Sequence, residues 1–135
     1  FNRPGAPPFF RAAVAFYPGC VTPLRAGDRY APGTPTRVHI GLLDDWTPAA
    51  TCAELGSAMA ARDEDLLVTT YPDSYHAFDS PTGTVVFRTD VPNGVNPGRG
   101  VHVGPNPIAR DAANASVRAF LRQRLAPDAH ANREP

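Results

Sequence analysis

The sequence contains no lysine, no long apolar run and no block of like charge. All 13 basic residues are arginine, and they balance 13 acidic residues to a formal net charge of +0. A neutral chain of this kind does not favour nucleic acid or an anionic membrane as its partner. No apolar run approaches the roughly 18 residues that a membrane-spanning helix needs. We therefore expect neither a nucleic-acid nor a membrane partner.

Cysteine is also scarce. The only two, Cys20 and Cys52, show no CxxC spacing, and the four histidines show no HxH or HExxH pattern. These ligands are too few and wrongly spaced for a zinc site, so we predict no metal. Two interpretations of the cysteines stay open, namely separate buried thiols and a single disulfide. A disulfide would indicate a periplasmic or secreted protein, and free thiols a cytoplasmic one.

Proline and glycine are abundant and divide the chain into short elements. The 135 residues allow one modest core, and 16 prolines and 11 glycines separate three apolar runs that are typical of buried strands. The runs lie at residues 12–17, 36–42 and 66–71. Between the last two, residues 47–62 predict a helix with Thr47 as its N-cap and Pro48 at its first position. This order predicts that the second and third strands are parallel neighbours.

The remainder of the chain predicts one more helix. Residues 85–106 are dense in turn-forming residues and indicate a loop, and residues 84–88, which overlap its start, are a short extension or a hairpin arm. A helix follows, with Asn106 as N-cap, and its predicted apolar face consists of Ala113, Val117, Phe120, Leu121 and Leu125. Residues 127–135 predict a disordered tail. Three strands and two helices are too few for a complete α/β sheet, so we expect the C-terminal part of a larger α/β fold.

Two loops that follow predicted strands carry residues suited to acid–base chemistry. Gly41, Asp44 and Pro48 form a G-x-x-D-x-x-x-P pattern after the second strand, and His76 lies five residues beyond the third. The carboxyl ends of parallel strands meet at one edge of a sheet, where catalytic groups gather. We therefore expect Asp44 to orient the imidazole of His76 and to stabilise the imidazolium. The alternatives are a turn or capping aspartate, Asp45 in the catalytic role, and a histidine that packs in the core or binds a metal.

An acid followed by a histidine near the end of the chain is the order of the α/β-hydrolase triad. Four segments, "FRAAVAFYPGC", "GLLDDWTPAATC", "YPDSYHAFD" and "ARDAANASVRAFL", together resemble the dienelactone hydrolase family over residues 10–125. The resemblance implies an α/β-hydrolase fold with a mostly parallel sheet and flanking helices. It also implies an ester or lactone hydrolase that needs no cofactor. Residues 1–126 would form the C-terminal portion of that domain.

The nucleophile that the resemblance implies is missing from the sequence. The family carries a cysteine or serine in a G-x-[CS]-x-G turn that precedes the strand at 12–17, and the chain has no such motif. Cys20 lacks the second glycine, and Cys52 falls inside a predicted helix. We therefore expect the nucleophile and the oxyanion hole to lie upstream of Phe1, or in a partner chain that supplies the N-terminal half. The chain alone would then be inactive. A non-catalytic binding module is the alternative.

The residues after His76 alter the expected substrate. Family members that open dienelactone have an arginine shortly after the histidine, whereas this chain has Asp79 and Ser80. A carboxylate there repels a carboxylate substrate, although Arg88 or Arg99 could reach back from the loop. A small-molecule ester or lactone is therefore the broader expectation.

Aromatic residues near the two loops are candidates for a substrate pocket. These are Tyr17, Trp46 and Phe78, and for Tyr17 and Trp46 packing in the core is the alternative. His39 lies in the middle of a predicted strand, and we expect it to be hydrogen-bonded in the interior. Asp45 is expected to act on the helix N-terminus through its charge.

Overall fold

The structure, a computed structural model, describes residues 10–126. In chain order the elements are β1 (Ala13–Phe16), α1 (Val21–Ala26), a 3₁₀ turn (Gly27–Arg29), β2 (Thr36–Gly41), α2 (Ala49–Ala60), β3 (Leu66–Tyr71), β4 (Val86–Arg88), β5 (Val101–Val103) and α3 (Pro107–Leu125). Strands β1, β2 and β3 form a sheet in that order, and β4 pairs with β5. The three predicted strands are present, and each is within one residue of its predicted ends.

Strands β2 and β3 are parallel neighbours, as predicted. Their register pairs Thr36 with Leu66 and Gly41 with Tyr71, so the two strands end side by side. Strand β1 pairs with β2 in the same direction. All three strands therefore deliver the loops at their carboxyl ends to one edge of the sheet. The parallel sheet with flanking helices is the partial α/β fold that the sequence predicts.

The main core lies between the sheet and α2. Ile40 is 0% exposed and Leu55 is 2% exposed, and both belong to this core. Complete burial of one such aliphatic side chain contributes about 1.5–3 kcal/mol to folding. His39 is also buried, and its Nδ1 lies 2.8 Å from the hydroxyl oxygen of Tyr71. Burial, followed by the charge of Arg37, lowers the pKa of His39, so this ring is the neutral interior group that we predicted.

Helix α2 begins one residue later than predicted. Pro48, and not Thr47, is the N-cap, and the first helical residue is Ala49. The Thr47 hydroxyl donates instead to the carbonyl oxygen of Tyr17 at 2.9 Å, and no side chain caps the helix. The first turn contains no acidic residue, and Asp45, which we expected to act on this helix N-terminus, directs both carboxylate oxygens to His102.

Helix α3 begins as predicted, and its packing face is shorter than predicted. The Asn106 side chain accepts a hydrogen bond from the backbone N–H of Ala109, with Pro107 at the first helical position. Ala113 and Phe120 are buried, but Leu125 is 53% exposed, so its assignment to the apolar face is wrong. Five residues correspond to a rotation of about 140° from Phe120, which carries Leu125 to the outer face.

The segment between β3 and α3 contains the hairpin arm that the sequence allowed. Strand β4 pairs antiparallel with β5, and Phe87 lies opposite His102. The sequence did not predict β5, because it lies within a run of glycine and proline. Among the described residues no helix is long and apolar enough to cross a bilayer. The tail at 127–135, predicted to be disordered, lies outside the described residues.

The loops after β2 and β3 are in direct contact at Gly41. A Cβ atom on Gly41 would lie 2.1 Å from the carbonyl oxygen of Ser74. Beside it, the backbone N–H of Leu43 donates to the same oxygen at 3.0 Å. The absence of a side chain at position 41 therefore lets the loop after β2 approach the loop after β3.

Replacement of Gly41 by alanine is expected to destabilise the fold. The new methyl group must displace the Ser74 backbone, and overpacking of this kind typically costs about 1–3 kcal/mol. The free energy of unfolding, measured by urea denaturation, should fall by that amount. Gly19→Ala is the matched control, because a Cβ at Gly19 meets nothing within 4 Å. Equal stability of the two variants would contradict the role given to Gly41.

Candidate active site

Asp44 lies in a tight turn after β2, and donors surround its carboxylate. One oxygen, Oδ1, accepts hydrogen bonds from the backbone N–H groups of Trp46 at 2.9 Å and Thr47 at 2.7 Å. The side chain is 0% exposed. A buried carboxylate needs such partners, and the two backbone bonds fix its orientation. They leave the second oxygen, Oδ2, to face the loop after β3.

His76 meets that second oxygen. Its Nδ1 lies 3.0 Å from Asp44 Oδ2, and its side chain is 14% exposed. Because an ionised carboxylate only accepts hydrogen bonds, the proton of this bond belongs to Nδ1. In that tautomer Nε2 is the basic nitrogen, and no described residue makes a hydrogen bond to it. The structure thus brings together the two residues that the sequence selected, in the geometry of a base and its orienting acid.

Two aromatic rings hold the imidazole between them. The ring of Tyr17 lies 4.2 Å from that of His76, and the ring of Trp46 lies 4.5 Å from it, centroid to centroid. Tyr17 has φ of 40° and Ala77, next to His76, has φ of 61°, values that non-glycine residues seldom adopt. Such strained residues cluster at functional sites.

Thr47 links three parts of the site. Besides its bond to the Tyr17 carbonyl, its hydroxyl oxygen lies 3.1 Å from Asp44 Oδ2 and 3.3 Å from His76 Nδ1. A hydroxyl has one proton to donate, so at least one of these contacts uses Thr47 as an acceptor. The threonine that the sequence assigned to a helix cap is therefore a polar neighbour of the Asp44–His76 pair.

Tyr17 also contacts the acidic residue that follows His76. Its hydroxyl donates to Asp79 Oδ1 at 3.0 Å. Burial, with the hydrogen bond and the charge of Asp79, raises the pKa of Tyr17 to about 12. Tyr17 therefore remains a neutral phenol at physiological pH, and the negative charge of Asp79 is held near the His76 ring.

Among the described residues, no serine, threonine or cysteine makes a hydrogen bond to His76 Nε2. Cys20 and Cys52 form a disulfide with each other, so the open choice between thiols and a disulfide is resolved for the disulfide. The most buried serine, Ser74, donates its hydroxyl proton to the carbonyl of Pro72. Among residues 10–126 no group of three or more His, Cys, Asp or Glu side chains could hold a metal ion.

A cavity of about 390 Å³ opens beside the pair. It is lined by Gly19, Cys20, Val21, Trp46, Thr47, Pro48, Thr51, Asn93, Gly94 and Val95. The wall contains no charged side chain, and the ring of Trp46, which lines the cavity, also lies 4.5 Å from that of His76. Asp44 and His76 do not line the cavity, and the lining residue Thr47 contacts both of them. The volume lies within the range of about 300–1,000 Å³ that is typical of small-molecule sites.

The three aromatic pocket candidates have different positions. Trp46 borders the cavity, whereas Tyr17 contacts His76 without lining it. Phe78 is 0% exposed and packs against Tyr71 and α3, so its assignment to a pocket wall is corrected to a core position. The sequence could not separate these cases, because all three residues lie close to strand ends.

The sequence also missed a second contact between an aspartate and a histidine. Asp45 Oδ2 lies 2.7 Å from His102 Nδ1, although the two residues are 57 positions apart. No local pattern indicates this pair, since His102 lies within an irregular, turn-rich segment. The expected reach of Arg88 toward His76 is also absent, because Arg88 is paired with Asp90.

The parallel strand order, with an acid and a histidine on adjacent strand ends, defines a partial α/β-hydrolase fold. The family model described as "Dienelactone hydrolase family" matches residues 4–125. The chain belongs to that family, which makes it a hydrolase of the dienelactone hydrolase type. Comparison with curated proteins and with solved structures gave no match.

Trp46 is the single tryptophan of the chain, so its fluorescence reports on His76. We expect His76→Gln to change the intensity of this emission, because the substitution removes the imidazole ring whose centroid lies 4.5 Å from that of the indole. His39→Gln is the control and should leave the emission unchanged, because the His39 ring contacts Phe16 and Tyr71 instead of Trp46. Emission from His76→Gln equal to that of the wild type would contradict the contact between the two rings.

Proposed function

We propose that the chain supplies the acid and the histidine of a Cys/Ser–His–Asp triad in a carboxylic ester or lactone hydrolase. The observation that carries the proposal is the 3.0 Å contact between His76 Nδ1 and Asp44 Oδ2, with Nε2 unpartnered among the described residues. A histidine oriented through one nitrogen and free at the other is arranged to accept a proton. Family membership supports the same reaction class.

The mechanism follows from the unpartnered Nε2 of His76 and from a nucleophile that is supplied outside the described residues. A Cys or Ser outside the described residues would give its proton to His76 Nε2 and attack the ester carbonyl. The bond to the alkoxy group then breaks, and His76 returns the proton to that leaving group. Water, deprotonated by the same nitrogen, would hydrolyse the acyl-enzyme. Asp44 would hold the imidazole in the required tautomer and stabilise its charged form at each step.

The free edge of β1 is the position we propose for the nucleophile-bearing strand. Ala13 and Tyr17 donate their N–H groups to carbonyls of Pro35 at 2.9 Å and His39 at 2.7 Å, on the β2 side. The alternating pattern of a parallel pair directs the backbone groups of Val14 and Phe16 to the other side. No described strand pairs there. A parallel strand added at this edge would end beside the loops that carry Asp44 and His76.

The source of that strand can be the same polypeptide or a second chain. Either source could pair with the edge of β1. The proposal requires only a parallel strand that is followed by G-x-[CS]-x-G. The disulfide supports a periplasmic or secreted location, since such bonds persist in oxidising compartments. A binding module without catalysis would not need the oriented tautomer of His76.

We propose that the substrate is uncharged close to the scissile bond. The cavity wall beside Trp46 contains no charged side chain, and Asp79 holds a negative charge at the Tyr17 hydroxyl. A substrate carboxylate would meet repulsion there, and Arg88, one of the two arginines that could compensate it, is paired with Asp90. A neutral ester or lactone fits these surroundings, with its apolar group in the cavity.

Activity is expected only when a nucleophile is supplied. The chain alone should hydrolyse p-nitrophenyl acetate no faster than buffer. We define the joined enzyme as the full chain fused behind the N-terminal half of a dienelactone hydrolase family member that carries G-x-[CS]-x-G. It should turn over the same ester, and His76→Ala or Asp44→Asn should lower its kcat by about 10⁴-fold, the loss typical of such triads.

Asp111→Asn is the control for these variants, because Asp111 lies on α3 in an exposed pair with Arg110. Two outcomes would contradict the proposal. One is turnover by the chain alone that His76→Ala removes, since a nucleophile would then be present in the chain. The other is full activity of the joined enzyme with His76→Ala.

Charge discrimination tests the substrate class. The joined enzyme should prefer p-nitrophenyl butyrate to p-nitrophenyl hemisuccinate by roughly tenfold in kcat/KM, since one charge pair near a protein surface is worth about 1–2 kcal/mol. Asp79→Asn should reduce this preference while its amide oxygen still accepts the Tyr17 proton. Asp111→Asn should leave the preference unchanged. A faster reaction with the hemisuccinate would refute the neutral substrate.

A further inference from the structure

A second aspartate–histidine contact joins Asp45 to His102, and Asp45 directly follows Asp44 in the chain. Asp45 Oδ2 is 2.7 Å from His102 Nδ1, and Asp45 Oδ1 accepts the backbone N–H of His102 at 2.8 Å. Both carboxylate oxygens are therefore directed to a single residue of β5. Such a two-point contact restricts rotation more than a single hydrogen bond does.

His102 also reaches the loop that carries the catalytic histidine. Its ring is stacked on that of Tyr75 at 4.8 Å with an interplanar angle of 26°. Tyr75 immediately precedes His76, as Asp45 immediately follows Asp44. One imidazole is thus in contact with the chain neighbour of each member of the catalytic pair.

The backbone of β5 joins the same loops. Val103 forms an isolated parallel bridge with His76, and the N–H of Gly104 donates to the His76 carbonyl at 2.9 Å. On the acid side, the carbonyl of Asp45 accepts the N–H of Val95 at 2.8 Å. The hairpin is therefore attached to both loops, and the side chain of His102 lies between the two attachments.

We propose that Asp45 and His102 form a positioning pair, which keeps Asp44 within hydrogen-bonding distance of His76. The inference rests on the proposed function, because it assigns the pair to that catalytic site. Acid–base residues need placement within about 0.5 Å, and a displacement of 1 Å can cost about 100-fold in rate.

The test follows the His76 Nδ1 proton by nuclear magnetic resonance in the full chain, where no nucleophile is needed. A proton held by Asp44 exchanges slowly enough with water to be observed, and His76→Gln assigns its signal. Asp45→Asn and His102→Gln should broaden or remove the signal while the far-ultraviolet spectrum stays native. The double variant should be no worse than either single one, because both changes break one interaction.

Asp90→Asn is the matched control, since it breaks the Arg88–Asp90 pair beside β4 without contacting the site. Two outcomes would overturn the proposal. The first is a His76 signal in both positioning variants equal to that of the wild type or of Asp90→Asn. The second is global unfolding of both variants, because the pair would then support the fold and not the geometry of the site.

Kinetics of the joined enzyme separate this inference from the proposed function. His102→Gln should lower kcat about ten- to hundredfold with KM little changed, as misplacement of the base predicts. Unaltered kcat in His102→Gln would overturn the positioning role alone. Full activity with His76→Ala would overturn the proposed function, whatever His102→Gln does.

Discussion

The close contact between Gly41 and the carbonyl of Ser74 is the constraint on which the site depends. It is available because β2 and β3 are parallel and end in register, Gly41 beside Tyr71. A side chain at Gly41 would keep the two loops apart, since its Cβ would lie 2.1 Å from the Ser74 oxygen. The Asp44–His76 hydrogen bond needs the loops together. The close packing of the two loop backbones is therefore a precondition for the hydrogen bond between Asp44 and His76.

The site is held by contacts from several directions. Thr47 connects the turn of Asp44 to the end of β1 through the Tyr17 carbonyl. Asn106 caps α3 and donates to Ser74 Oγ at 3.0 Å, so the last helix is attached to the histidine loop. These contacts are long-range in sequence and buried or half-buried. They restrict the loops and leave His76 Nε2, the atom that the proposed mechanism requires, without a partner among the described residues.

The surroundings of the pair also bear on what can bind. An uncharged cavity lies beside Trp46, and the negative charge of Asp79 is held at Tyr17. A binding site selects its substrate by repelling charged alternatives as well as by attracting the substrate that it binds. Family membership indicates the reaction class. The local charges support the narrower proposal that the substrate is a neutral ester or lactone.

The sequence by itself determined the parallel pairing of β2 with β3, the start of α3 and the selection of Asp44 and His76 as partners. These follow from local patterns, because apolar runs, caps and strand-end positions are properties of short segments. Only the tertiary structure decided that Cys20 bonds Cys52, that Phe78 is core and that Asp45 binds His102. Those outcomes depend on distances between residues far apart in the chain. No local sequence pattern indicates such distances, because they are set when the loops pack against β5 and α2.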